Sequence, residues 1–330
     1  MNSILSVSNL SKTYNNIYAL NSLSFECNKG EIVSVVGSSG SGKSTLLKLI
    51  AGLEIPDNGK IVLKDKPIND ESIFVKPEKR DCDIVFQDFS LFPNMTVDEN
   101  IYFGKNAPNN KSMVGNLVSL ANISDILSRY PHQISGGQQQ RVALVRALAN
   151  NPSLLLMDEP LSHLDSALKE KVRSELLSIL KKLDMTVLIV THDAEDALTI
   201  SDKTIVLNQG RLEQVDTPRK IYKYPKSEYV ARLFGKTNIL PLKLMPGSKH
   251  SFKQKSSDNK MVSVRPHQLI IESGTNSSLP KIKGQITNIF NNGHSYNVEA
   301  KCEDLVFMAE IKNGSDLKIG ETVTFSIELD

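Results

Sequence analysis

Residues 31–53 read EIVSVVGSSGSGKSTLLKLIAGL, and this stretch decides the fold. Its apolar, β-branched opening, Glu31 to Val36, reads as a buried strand, and Ser44 to Leu53 reads as a helix. Between them Gly37, Gly42, Lys43 and Ser44 satisfy the spacing G-x-x-x-x-G-K-[ST] in the strand–loop–helix order that this motif needs. Glycines let backbone N–H groups wrap a phosphate chain without a Cβ in the way. Lys43 adds a point charge, the helix N-terminus adds its dipole, and Ser44 offers a hydroxyl to Mg²⁺. The loop from Gly37 through Ser38, Ser39, Gly40, Ser41, Gly42, Lys43 and Ser44 to Thr45 is therefore the candidate nucleotide site.

Downstream, residues 154–160 read LLLMDEP, an apolar strand that ends in two acids. Such a strand would carry them to the sheet edge beside the phosphate loop. Asp158 is placed to hold Mg²⁺, directly or through water, and Glu159 is then free to polarise an attacking water as general base. Ser153 to Met157, Thr186 to Val190 and Thr204 to Leu207 read as further buried strands, and Ser166 to Leu183 has helical spacing. The alternation predicts an α/β fold with a largely parallel sheet, and with the phosphate-loop motif an α/β P-loop NTPase. Residues 88–133 break it, showing no buried strand and a helical pattern over Val114 to Leu127, and read as a helical insertion.

After Pro241 the pattern changes to short alternating runs separated by turn clusters such as NNGH and KIG, which predicts a small all-β barrel or sandwich. The reading is thus an ATPase domain over residues 1–237 and a β-rich domain over 238–330. Composition narrows the function. A formal net charge of +2 on 330 residues gives no support to a nucleic-acid binder. Cys27, Cys82 and Cys302 form no ligand-spaced pair, so neither a zinc site nor a disulfide framework is expected, and a reducing cytosol fits best. The start, MNSILSVSNLSKTYNN, does not read as a signal peptide, and the apolar runs fall far below the ~18 residues of a membrane span. Action at a membrane would need a partner.

Residues 134–141, ISGGQQQR, sit just ahead of LLLMDEP and open a helix running through Ala149. They resemble the signature that sets ABC ATPases apart from other P-loop proteins. The resemblance implies that Ser135, Gly136, Gly137 and Gln138 meet the γ-phosphate of ATP held by a second copy, so that two chains close head-to-tail around two nucleotides. Other family positions follow in order. Tyr14 in SKTY matches the aromatic that stacks on adenine. Gln87 in VFQD matches the glutamine that contacts Mg²⁺ and water. Asp165 in LSHLD matches the loop that touches the opposite protomer, and His192 in IVTHD matches the histidine that bonds the γ-phosphate and orients attack. Ile134 stands where leucine is usual, His163 replaces a small residue, and the stretch from Gly104 to Tyr130 is several residues short for the family.

Residues 76–104 resemble the segment that joins core to helical subdomain in solute importers. VSVRPHQLII, residues 262–271, resembles the accessory OB-like (TOBE) domain of importers for ferric iron, polyamines, sugars and oxyanions. The resemblance implies an ATP- and Mg²⁺-dependent homodimer, peripheral on the cytoplasmic face of a membrane. Integral permease subunits and an extracytoplasmic solute-binding protein would be its partners, with no nucleic acid. Around RYPHQISGGQQQR the likeness leans to ferric-iron and polyamine uptake. An exporter subunit is the alternative. A non-transport ABC ATPase is a further one, against which stand the single cassette and the missing coiled coil between Gln87 and Ser135.

Overall fold

The computed structural model describes residues 3–104, 106–162, 166–245, 250–253, 260–271, 279–312 and 316–328, with the backbone alone for 166–168. The chain divides into two units, Met1–Pro218 and Arg219–Asp330.

In the first unit the strands are β1 (Ser3–Tyr14), β2 (Ile17–Asn28), β3 (Ile32–Val36), β4 (Asn58–Leu63), β5 (Lys66–Asn69), β6 (Cys82–Val85), β7 (Leu154–Asp158), β8 (Val187–Thr191), β9 (Lys203–Asn208) and β10 (Arg211–Asp216). The helices are α1 (Lys43–Ala51), α2 (Val97–Tyr102), α3 (Lys111–Leu120), α4 (Gly136–Ala149), α5 (Ser166–Lys182) and α6 (Ala194–Ile200). Six strands form the central sheet in the order β10-β9-β3-β8-β7-β6, parallel except for the β9–β10 hairpin. Burial on both faces explains the unbroken apolar run of β7. Leu155 and Met157 pack with α4 and α5, whereas Leu154 and Leu156 pack with α1 and the second sheet. Each such side chain contributes about 1.5–3 kcal/mol by leaving water.

The second sheet, β2-β1-β4-β5, is wholly antiparallel, and the sequence reading did not include it. Its strands are half-exposed, and the β1–β2 register shifts at four places. Asn9 (φ 50°) and Ser22 (φ 53°) interrupt the alternation that would have marked them.

Between residues 88 and 133 the described residues hold α2, α3 and short 3-10 turns, with no strand. Helix α3 stops at Leu120, earlier than the spacing predicts. Asn122 adopts the left-handed region (φ 52°), and a separate 3-10 turn follows over Ser124–Ile126. Helix α4, on which α2 and α3 pack, begins with a capping box between Ser135 and Gln138.

The second unit comprises α7 (Pro218–Lys223), α8 (Glu228–Leu233) and the strands β11 (Asn238–Pro241), β12 (Phe252–Lys253), β13 (Lys260–Val264), β14 (Leu269–Ile271), β15 (Lys281–Asn291), β16 (Tyr296–Cys302), β17 (Leu305–Ile311) and β18 (Thr322–Ile327). They form sheets β11-β13-β12 and β14-β18-β15-β16-β17. The edge strands β14 and β17 of the larger sheet lie against one another, which curls it into an OB-like β domain around Phe307 and Phe325. Those two rings meet edge to face at 5.1 Å. Within this unit Arg265 ties α7 and α8 to the strands. Its guanidinium donates to the carbonyls of Ala231 (2.9 Å), Gly235 (3.2 Å) and Tyr222 (3.1 Å), and it lies 4.2 Å from the Tyr222 ring centroid.

Candidate functional site

Parallel pairing aligns the carboxyl ends of β3, β8 and β7. Val36 is in register with Thr191, and Val190 with Asp158. The residues next in the chain therefore leave the sheet at one edge: the Gly37 loop, His192 and Glu159. Strand β6 ends at the same edge, with Val85 beside Met157, so Gln87 emerges there as well. This is the crevice in which open parallel sheets bind ligands.

The loop from Gly37 to Gly42 is shaped by contacts that admit no side chain. A Cβ on Gly42, which has φ 102°, would lie 2.2 Å from the Ala19 carbonyl oxygen. One on Gly37 would lie 2.3 Å from that of Leu207. Lys43 folds over the loop, donating to the carbonyls of Gly37 (2.8 Å) and Ser38 (3.0 Å). Burial lowers its pKa, against the charges of Glu159 and Asp158, which raise it. A cavity of about 530 Å³ opens here. Ser39, Gly40, Gly42, Lys43, Ser44 and Thr45 line it from the loop and α1, Ala19 lines it from β2, and Glu159 and His192 complete the lining.

The Ser44 hydroxyl donates to Asp158 Oδ1 at 3.3 Å. Burial, and then the neighbouring Glu159 charge, push the Asp158 pKa up, with Ser44, Lys48 and Lys43 pulling the other way. Glu159 has a left-handed backbone (φ 45°), a conformation that costs a non-glycine residue about 1–3 kcal/mol and collects at functional positions. Its N–H donates to Val190 O at 2.9 Å, and its Oε2 lies 2.9 Å from His192 Nδ1. Gln87 Nε2 donates to Ser162 Oγ at 3.3 Å, and Ser162 Oγ donates to Glu159 O at 2.9 Å. The sequence reading missed this Ser162 bridge. Its only signal was a hydroxyl three residues beyond the acidic pair.

Tyr14, at the end of β1, is 40% exposed. Its hydroxyl is hydrogen-bonded to Glu54 and reaches Thr45 of α1. Burial, then Glu54, push its pKa up to about 12. Lys12 Nζ sits 5.3 Å from the ring centroid. Tyr14 thus stands beside the phosphate-loop helix but outside the cavity wall. Ser135, Gly136, Gly137 and Gln138 form the N-terminus of α4 and do not line the cavity either. Ser135 Oγ accepts from Gln138 N at 3.4 Å, and Gln138 Oε1 accepts from Ser135 N at 2.9 Å. Asp165 and His163 lie outside the described residues. All three cysteines are free.

Similarity to known proteins follows the same geography. The ABC transporter family profile matches residues 20–162, from β2 through the acidic pair. A sulfate/thiosulfate import ATP-binding protein of Chromobacterium violaceum is 46% identical over 241 residues, 72% of this chain and 65% of its own length. An Fe(3+) ions import ATP-binding protein of Haemophilus influenzae is 36% identical over 337 residues, 98% of this chain and 94% of its own. A spermidine/putrescine import ATP-binding protein of Clostridium acetobutylicum is 36% identical over 343 residues, with the same two coverages, 98% and 94%. Among solved structures, a dimeric ATP-binding cassette in a post-hydrolysis state bound to ADP and Pi has a TM-score of 0.56 at 34% identity. That match covers 65% of this chain and 99% of the other. A phosphate loop, an acidic strand end and a histidine converge on one sheet edge, and relatives at these identities cover almost the whole chain. The protein belongs to the ABC transporter family, as one of its ATP-binding, ATP-hydrolysing subunits.

Proposed function

We propose that this chain is the ATPase subunit of a solute importer and works as a homodimer on the cytoplasmic face of the membrane. No helix among the described residues is long and apolar enough to cross a bilayer, so integral permease subunits would provide the path. An extracytoplasmic solute-binding protein would deliver the solute. The observation that carries the hydrolytic part of the reading is the Glu159–His192 pair, 2.9 Å apart, lining the same cavity as Lys43 and Ser44.

In this reading the backbone of Gly37 to Thr45 cradles the ATP phosphates and Tyr14 stacks on the adenine. Glu159 accepts a proton from the attacking water, while His192 orients it and bonds the γ-phosphate. Ser44, Asp158 and Gln87 supply a hydroxyl, a carboxylate and a carboxamide, hard oxygen donors that fit Mg²⁺. Mg²⁺, when bound, neutralises charge on the phosphates. Ser135 to Gln138 would cap the γ-phosphate in the partner protomer, which accounts for their absence from this chain's own cavity wall. Asp165 would touch the opposite protomer. The helical region over 88–133 would carry closure to the permease.

Ferric iron and polyamine are the favoured solutes, since relatives aligned over 98% of the chain carry those names, against 90% and 91% for two of the sulfate/thiosulfate relatives. The sulfate/thiosulfate relative keeps oxyanions in the panel. The test is uptake of ferric iron, spermidine, putrescine, maltose, sulfate and molybdate in cells lacking the gene, with and without the active chain. Loss of one uptake that only the active chain restores would name the solute. An unchanged panel would turn the reading toward export.

A further inference from the structure

Helix α5 carries two cations one turn apart, Lys169 and Arg173, and both aim at the turn that holds His192. Arg173 is 8% exposed. Its Nε and Nη2 donate to Asp196 Oδ1 at 2.9 and 2.7 Å, and its Nη1 donates to Glu195 Oε1 at 2.9 Å. Lys169 Nζ lies 3.2 Å from Asp196 Oδ2 and is hydrogen-bonded to Asp193 Oδ2. Asp196, 4% exposed, accepts from Thr191 Oγ1 at 3.3 Å, and that hydroxyl accepts from Asp193 N at 3.0 Å. The residues on either side of His192 are therefore both tied to α5, Thr191 through Asp196 and Asp193 through Lys169.

Burial works against the charges of Lys169 and Arg173, but the facing carboxylates outweigh it and hold both pKa values above their ordinary positions. Taking the Arg173 and Asp196 charges out of water is costly, and apolar residues would join α5 to α6 at lower cost. An ionic cluster built around the buried Arg173–Asp196 pair instead fixes geometry. The His192 side chain is 58% exposed, so packing does not hold it; its contact with Glu159 and the tether of its two neighbours remain. Across from it, Glu159 is pinned through its N–H to Val190, one residue before Thr191.

We propose that Lys169 and Arg173 are positioning residues for ATP hydrolysis, holding the 191–196 turn so that His192 stays in register with Glu159. This rests on the reading that Glu159 and His192 carry the hydrolysis. The test measures ATP turnover by the full chain with Mg²⁺, equilibrium binding of a fluorescent ATP analogue, and melting temperature. Misplacing a catalytic group by about 1 Å costs on the order of 100-fold. Arg173→Gln should therefore lower kcat by roughly 10- to 100-fold with nucleotide affinity unchanged. Arg173→Lys, which can keep a bond to Asp196, should recover most of the loss. Lys169→Met should show the same split and carries the test if Arg173→Gln does not fold. Glu159→Gln is run beside them. Wild-type turnover by both α5 variants, with Glu159→Gln inactive, overturns the positioning role alone. Wild-type turnover by Glu159→Gln overturns the reading beneath it. A joint fall in kcat, affinity and melting temperature that Arg173→Lys does not recover marks a purely structural role and also overturns the proposal.

Discussion

Replacing Glu159 by Gln changes the charge of the site while keeping its shape. The side chain keeps its length, and its remaining oxygen can still accept from His192 Nδ1, the contact now at 2.9 Å. Only the capacity to take a proton from water is lost. A positioned general base contributes about 10²–10⁴-fold, which at 1.36 kcal/mol per tenfold is about 3–5 kcal/mol of barrier. Nucleotide binding should survive, because the loop glycines, Lys43 and Ser44 are untouched. Lys43 loses one of the two carboxylates that raise its pKa and keeps the other, Asp158. The expected result is phosphate release at least 100-fold slower than wild type, with the variant accumulating in ATP as a closed dimer. Single-turnover phosphate release reads the first and light scattering the second. Turnover within about tenfold of wild type, below what a general base supplies, would refute the assignment.

Asp158 offers a separable stability test. Its pKa is raised, first by burial and then by Glu159, so the ionised form is disfavoured in the folded chain. That penalty is fully present above the raised folded pKa and vanishes below the ordinary value of 3.8. Asp158→Asn should therefore melt higher than wild type at neutral pH without nucleotide, with the gain shrinking as pH falls toward 3.8, while hydrolysis drops by on the order of 100-fold. Calorimetry across pH checks it, and a variant that melts lower at neutral pH would contradict the burial argument. Gly42→Ala must place a Cβ 2.2 Å from a backbone carbonyl at φ 102°. The left-handed backbone alone costs about 1–2 kcal/mol, and the overlap adds to it. A total near 3 kcal/mol by denaturant unfolding, with weakened ATP binding, is expected, and a loss below about 1 kcal/mol would show that the loop yields.

The parallel sheet and its carboxyl edge were legible because burial on both faces writes itself into sequence as continuous runs. VVG after IVS, LLLMDEP and VLIVTHD each announce a strand and the chemistry at its end. The antiparallel sheet left no such trace. Strands β1 and β2 are half-wet, bulged and rich in serine and asparagine, and the polar edge strand RLEQVD is fixed by pairing with β9 more than by its own composition. The site divides along the same line. Groups that act on phosphate sit in motifs whose spacing is local, whereas the groups that hold them are joined across space. Lys169 and Arg173 show a four-residue spacing that any solvated helix face could carry. Their partners lie more than twenty residues on, across β8, and only the parallel crossover from α5 through β8 to α6 turns two unremarkable cations into a brace for His192. A sequence can name the residues that react, but those that keep them in register become visible only once the sheet has set which loops meet.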